Sequence, residues 1–246
     1  MRNDIRVPSI ARLINRAVYA LVISASCCLF VGDHCLHAAP SCPVVISGNT
    51  DVEQLIEMLA SPNEMPTWPG GDTSDGPPDY PGDYDKAAQT RVLSARDALV
   101  AKGTTAFELL IKHTDDYRYS YTEQRGKAFW VNVHVAHVCR EIIAVQVEVF
   151  RPFIRPSGPT DPRRFWVPGG RVALEQWWDS HKHQGLCAIQ IEAVKWAREK
   201  TRESALLNED ERIAALKDLL KLLERLDAGG AIKVDYKGKH ASTLPP

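Results

Sequence analysis

No charge of one sign dominates this chain. Its 246 residues hold 30 lysines and arginines against 31 aspartates and glutamates. Without a basic excess, the phosphate-neutralising stripe that non-specific nucleic-acid binding requires is absent. Catalytic signatures are missing as well. There is no GxSxG elbow, P-loop, GxGxxG or SxxK, and neither CxxC nor HExxH occurs. No apolar run of 18 residues is present after the first forty, so the bulk of the chain is expected to be soluble and to leave the membrane alone. Cysteine is sparse: six in all, of which only Cys42, Cys139 and Cys187 lie beyond residue 38. That number excludes the disulfide framework of small secreted domains.

What the N-terminus does contain is a targeting pattern. Arg2, Arg6, Arg12 and Arg16 precede an uncharged, mostly apolar run at 17–32, and small residues follow at Ala38 and Ala39. This order is that of a Sec-type signal peptide, with Ala38–Ala39 the expected scissile bond. The 16-residue run falls short of the roughly 20 needed to span a bilayer. A retained anchor is the alternative. A lipoprotein cleavage at Cys27 or Cys28 lacks the usual leucine. Loss of residues 1–38 takes four of the 30 basic and two of the 31 acidic residues and leaves 26 and 29, a net charge of −3. The expected location is therefore outside the cytoplasm, periplasmic or extracellular, with an all-α fold. An oxidising compartment allows one bridge, Cys139–Cys187; two buried free thiols are the alternative.

Four segments follow. Residues 1–38 are the signal peptide. Residues 39–85 hold a short amphipathic helix at 51–60, capped by Asn49 or Thr50, and a linker at 61–84 with six prolines and four glycines. Residues 86–228 form the helical body, and 229–246 a flexible basic tail whose IKVDYK can form an edge strand. In the body, Ala88, Val92, Ala95 and Leu99 recur with helical spacing over 86–102, and Gly103 is a natural stop. A helix at 105–114, capped by Thr104, folds back on the first. The tyrosines of DDYRYSY and the valines at 131, 133 and 135 alternate as a strand would. The steps from Val135 through Val138, Ile142 and Val145 to Val149 are helical, which predicts an ordered aromatic loop and then a helix over 133–150 capped by Asn132. Further helices are expected at 171–184, 186–203 and 208–227. The last is capped by Asn208 and buries Ile213, Leu216, Leu220 and Leu223.

The stretch KAAQTRVLSARDALVAKGTTAFELLIKHTDD, followed by NVHVAHVCREII and EQWW…IQIEAVKWA, resembles uncharacterised secreted bacterial proteins built from HEAT-like helical hairpins. The resemblance spans about residues 86–200 and implies an irregular, α-solenoid-like stack that acts as a scaffold or protein-binding module. It brings no catalytic residues with it. The long segments at 115–131 and 151–170 depart from a regular array.

Candidate chemistry is thin. His134, His137 and Cys139 form one group, and His181, His183 and Cys187 another. Together they are the only approach to a zinc site, and their spacing matches no closed one, so no metal and no cofactor is expected. His113, Asp115 and Asp116 suit acid–base work or calcium, but aspartates at such a turn more often bond backbone N–H groups. Asp115, Asp116, Tyr117, Tyr119 and Tyr121 are the candidate binding surface. Trp177, Trp178 and Trp196 read as core anchors. The leading expectation is an exported non-enzymatic scaffold or protein-binding module, its protein partner unknown. The alternative is a metal-dependent hydrolase using the His/Cys or His/Asp groups.

Overall fold

The computed structural model describes residues 51–68, 76–125, 129–151 and 165–233. The signal segment, Cys42, the caps expected at Asn49 and Thr50, most of the proline-rich stretch after 151 and all but the first two residues of IKVDYK lie outside these. The described chain is mostly helical. Helix α1, Val52–Glu57, and the turn after it bury Leu55, Ile56 and Leu59 completely. Three such side chains contribute on the order of 2 kcal/mol each, which is how so short a helix persists.

Helix α2 spans Lys86–Lys102. Asp85 accepts from the Ala87 N–H at 2.8 Å as its N-cap. The stripe Ala88, Val92, Ala95 and Leu99 is buried, as its spacing predicts. The stop at Gly103 takes φ +65° and ψ −145°, a region open essentially to glycine and not the left-handed helical one. A 3₁₀ turn, Gly103–Ala106, then leads into α3, Phe107–Lys112, so the expected helix from 105 begins two residues later and Thr104 does not cap it. Gly103→Val is expected to lower unfolding free energy by about 2 kcal/mol through backbone strain, with helix content unchanged. Chemical denaturation with circular dichroism checks it, and equal midpoints would mean that the corner can relax.

The all-α expectation needs one correction. Strands β1, Tyr119–Arg125, and β2, Phe129–His134, form an antiparallel two-stranded sheet. The tyrosine and valine alternation is therefore a strand signal, and the helical period takes over only at Val135. Helix α4 is Val135–Val147. Asn132 lies in β2 and does not cap it; its Oδ1 accepts from Thr122 Oγ1 at 2.6 Å and its Nδ2 donates to the Pro66 carbonyl at 2.8 Å. A bulge between Tyr119 and Tyr121 breaks the strand alternation, so Ser120, Tyr121 and Thr122 are all buried.

Helix α4 is the central element. It packs against α2, α3, both strands and α6, and Val138, Cys139, Ile142, Ile143 and Val147 are buried along it. Helices α5, Arg171–His181, α6, Leu186–Glu203, and α7, Glu209–Gly229, complete the body. Asn208 and Glu211 form a full capping box on α7. The core face expected for α7 is rotated, however. Ile213 and Leu220 are exposed, while Leu219, Leu222, Leu223 and Leu226 are buried. Helix α7 packs along α6, and that one neighbour selects which of two apolar stripes turns inward.

The described part of the linker is docked. Thr67 and Asp79 form an antiparallel bridge. Asn63 accepts from the Asp85 N–H and donates to its carbonyl, both at 2.9 Å. Tyr84 and Tyr119 join their hydroxyls at 2.9 Å. At the other end Ile232 is tied in, because Gln190 accepts from its N–H and donates to its carbonyl, both at 2.8 Å. The tail expected to be flexible from 229 is thus held at 232.

Candidate functional site

The Asp-Asp turn is a structural joint. Asp116 Oδ1 accepts from the Arg118 backbone N–H at 3.0 Å, and Oδ2 meets Arg118 Nη2 at 2.6 Å. The same guanidinium reaches Glu57 at 2.7 Å, which ties α1 to the turn. His113 lies 3.7 Å from Asp116, and Asp115 is engaged by Arg171 at 2.8 Å. Both aspartates of the acid–base group are therefore held by arginines. Arg118, bonded to both carboxylates, holds Asp116 and Glu57 below their ordinary values. A depressed carboxyl stabilises the fold above its unfolded pKa and loses that contribution as pH falls through the lower folded value. Arg118→Met is accordingly expected to cost about 1 kcal/mol at pH 7, a modest figure because the joint is half exposed. The difference from wild type should fade below the ordinary aspartate value of 3.8; denaturation midpoints at two pH values check it.

The three tyrosines do not share a surface. Tyr117 is 76% exposed and Tyr121 fully buried. Tyr119 lies between them in a chain of hydroxyls running from Tyr84 to Thr122. Tyr121 accepts from Arg96 Nη1 at 3.2 Å, so it belongs to the core and leaves the candidate binding surface.

The histidines are dispersed. His134 Nδ1 lies 2.8 Å from the Tyr117 carbonyl. His181 stacks on Trp177 with centroids 4.9 Å apart, and its Nε2 is 3.2 Å from Glu192. His183 is exposed, and His137 lines a cleft on α4. Among the described residues no group of three or more histidine, cysteine or acidic side chains could hold a metal. The bridge expected between Cys139 and Cys187 is not formed; both thiols are free. Cys139 sits in the core, where burial pushes its thiol up to about 12. Cys187 faces α7 and donates to the Leu226 carbonyl at 3.5 Å.

The cleft along α4 offers a concave site. Its volume is about 530 Å³, and it is lined by Glu123 of β1, by His137, Arg140, Glu141 and Ala144 of α4, and by Arg151, Phe165, Val167 and Pro168. One wall is held by Glu148, a carboxylate 1% exposed just past the end of α4. Its Oε1 accepts from the backbone N–H groups of Trp166 at 2.6 Å and Val167 at 2.7 Å. Its Oε2 accepts from Arg151 Nε. Burial raises the Glu148 carboxyl, against the lowering by Arg151 and the two N–H donors. Arg151 also lies over the Phe165 ring, 5.6 Å from its centroid. Across the cleft, Arg140 presses on the chain at Gly169, where a β-carbon would stand 3.1 Å from its guanidinium.

Of these residues only His137 is among the sequence candidates. Glu148 had one available signal, a lone carboxylate inside the apolar run AVQVEVF. Arg140 and Glu141 had none, since charges on a helix usually face water. No family model matches the chain, and no curated protein or solved structure does either.

Proposed function

We propose that this chain is an exported, non-enzymatic binding module, its helical body a scaffold for the cleft between α4 and residues 165–168. The single observation that carries the reading is that cleft: about 530 Å³, lined by charged and apolar residues together, with one wall locked by Glu148. The volume suits a small molecule or the end of a partner's chain. Export is supported by the four N-terminal arginines, the apolar run and Ala38–Ala39. For a HEAT-like origin of the body, the support is the succession of α2, the Gly103 corner and α3, with Asp116 tying the turn after them; α3 packs on α4, α5 and α1 rather than back along α2 as the sequence led one to expect. No helix among the described residues is long and apolar enough to cross a membrane.

Backbone amide spectra of the mature chain, titrated with a library of small fragments, test the binding role. Hits are expected to shift the resonances of α4 and 165–168; hits scattered over the surface would sink it. N-terminal sequencing of the exported protein should begin near Ala39, and a start at Met1 would overturn export by cleavage. One tightly held zinc per chain, lost on His134→Ala, would favour the hydrolase instead.

A further inference from the structure

We propose that the cleft takes a small amphipathic anion, its oxyanion head on the Arg140 guanidinium and its apolar body against Ala144, Phe165 and Val167; this rests on the cleft being the binding site. The inference follows from which charges in the cleft are already matched. Arg151 is neutralised by the buried Glu148. Glu123 and Glu141 each interact with another residue of the chain. The Arg140 side chain is partly buried and makes no hydrogen bond or ion pair with any described residue, the acidic residues of the cleft included.

A cation withdrawn part-way from water is unfavourable without a counter-charge, Arg140 has none among the described residues, and an incoming oxyanion supplies both the charge and the acceptors. The guanidinium fork matches the two oxygens of a carboxylate or phosphate in a way a lysine ammonium does not. Gly169 is the second feature. Its bare backbone leaves room for the guanidinium, since a β-carbon there would crowd Arg140 at 3.1 Å. No left-handed backbone demands glycine at this position, so its role is to leave space for Arg140. Beside the charge lie Ala144, one helical turn on from Arg140, with Val167 and Phe165 opposite. Phe165 is 51% exposed, with Arg151 over its ring, so part of its aromatic surface borders the cleft.

The test is a titration of the full mature chain with benzoate, phenyl phosphate and the neutral counterpart benzamide, followed by backbone amide spectra. Benzoate or phenyl phosphate should shift cleft resonances saturably, with benzamide at least tenfold weaker. The tighter of the two anions tells an organic acid from a phosphomonoester. Arg140→Leu should weaken binding at least tenfold, and Arg140→Lys should restore part of it. Gly169→Val should weaken it through Arg140 while leaving thermal unfolding near that of wild type. Benzamide binding in the cleft as well as benzoate would overturn the anion and leave the binding module standing. Unchanged affinity in Arg140→Leu would remove Arg140 as the head-group site. Silence of the cleft toward all three compounds up to tens of millimolar would overturn this proposal. If fragments of other chemistry still bound there, the broader reading would survive it. Should Arg140→Leu fail to fold, Arg140→Lys and Gly169→Val carry the same comparison.

Discussion

Glu148→Ala is expected to lower the unfolding free energy by about 3 kcal/mol. The carboxylate is buried at 1% exposure and accepts from two backbone N–H groups and from Arg151. Alanine leaves those donors facing a void, and unsatisfied buried donors cost more than a surface hydrogen bond contributes. The wall at 165–168 should loosen as well, so the cleft should lose ligand along with stability. Glu224→Ala, on the exposed side of α7, is the control and should stay within about 0.5 kcal/mol of wild type. Urea denaturation decides it: matching midpoints for Glu148→Ala and wild type would mean that the bridge is not made in solution. Glu148→Gln separates charge from geometry. It keeps an acceptor for both N–H groups and sets an amide against Arg151, so it should cost less than alanine. The pH dependence has a definite sign. Burial raises the Glu148 carboxyl above its ordinary 4.5. Between 4.5 and that raised value the folded state holds a proton that the unfolded chain has released. The contribution of this group therefore falls as pH rises through the window, and glutamine should flatten that part of the profile.

Tyr121→Ala is expected to cost about 4 kcal/mol, in the range of large-to-small changes at fully buried aromatic positions. The ring is completely enclosed, and its hydroxyl receives a hydrogen bond from Arg96, itself 4% exposed. Tyr121→Phe should cost roughly 1 kcal/mol, because the shape stays and only Arg96 loses an acceptor. Tyr117→Ala, four residues earlier and 76% exposed, should be near neutral. Thermal and chemical unfolding of the three variants gives the ranking. A Tyr121→Ala midpoint no lower than that of Tyr117→Ala would show that β1 is not seated in the core.

The contrast between these tyrosines marks how far residue patterns could be read. Their alternation was visible, and it was a strand signal set against a stronger helical period that begins only at Val135. Whether Tyr121 turns inward depends on the bulge at Ser120 and on β2 as partner. The α7 stripe is a similar case. Ile213 and Leu220 fit helical spacing as well as Leu219, Leu223 and Leu226 do, and both sets can be drawn on one helix. A packed neighbour is needed to choose between them, and α6 takes the second set.

The sequence by itself determined the helices whose limits are written locally. Helix α2 ends where Gly103 follows Lys102, α6 runs between Gly185 and Ser204, and α7 starts at a complete capping box. Caps, glycine stops and apolar period act within a few residues, so no distant contact is needed to read them. Only the tertiary structure decided the cleft. Glu148 reaches Trp166 and Val167 across 18 and 19 residues of chain, and the Arg140 guanidinium occupies the space a side chain at Gly169 would need. Whether a charge is matched depends on which groups folding brings beside it, because desolvation and ion pairing are properties of an environment and not of a residue type.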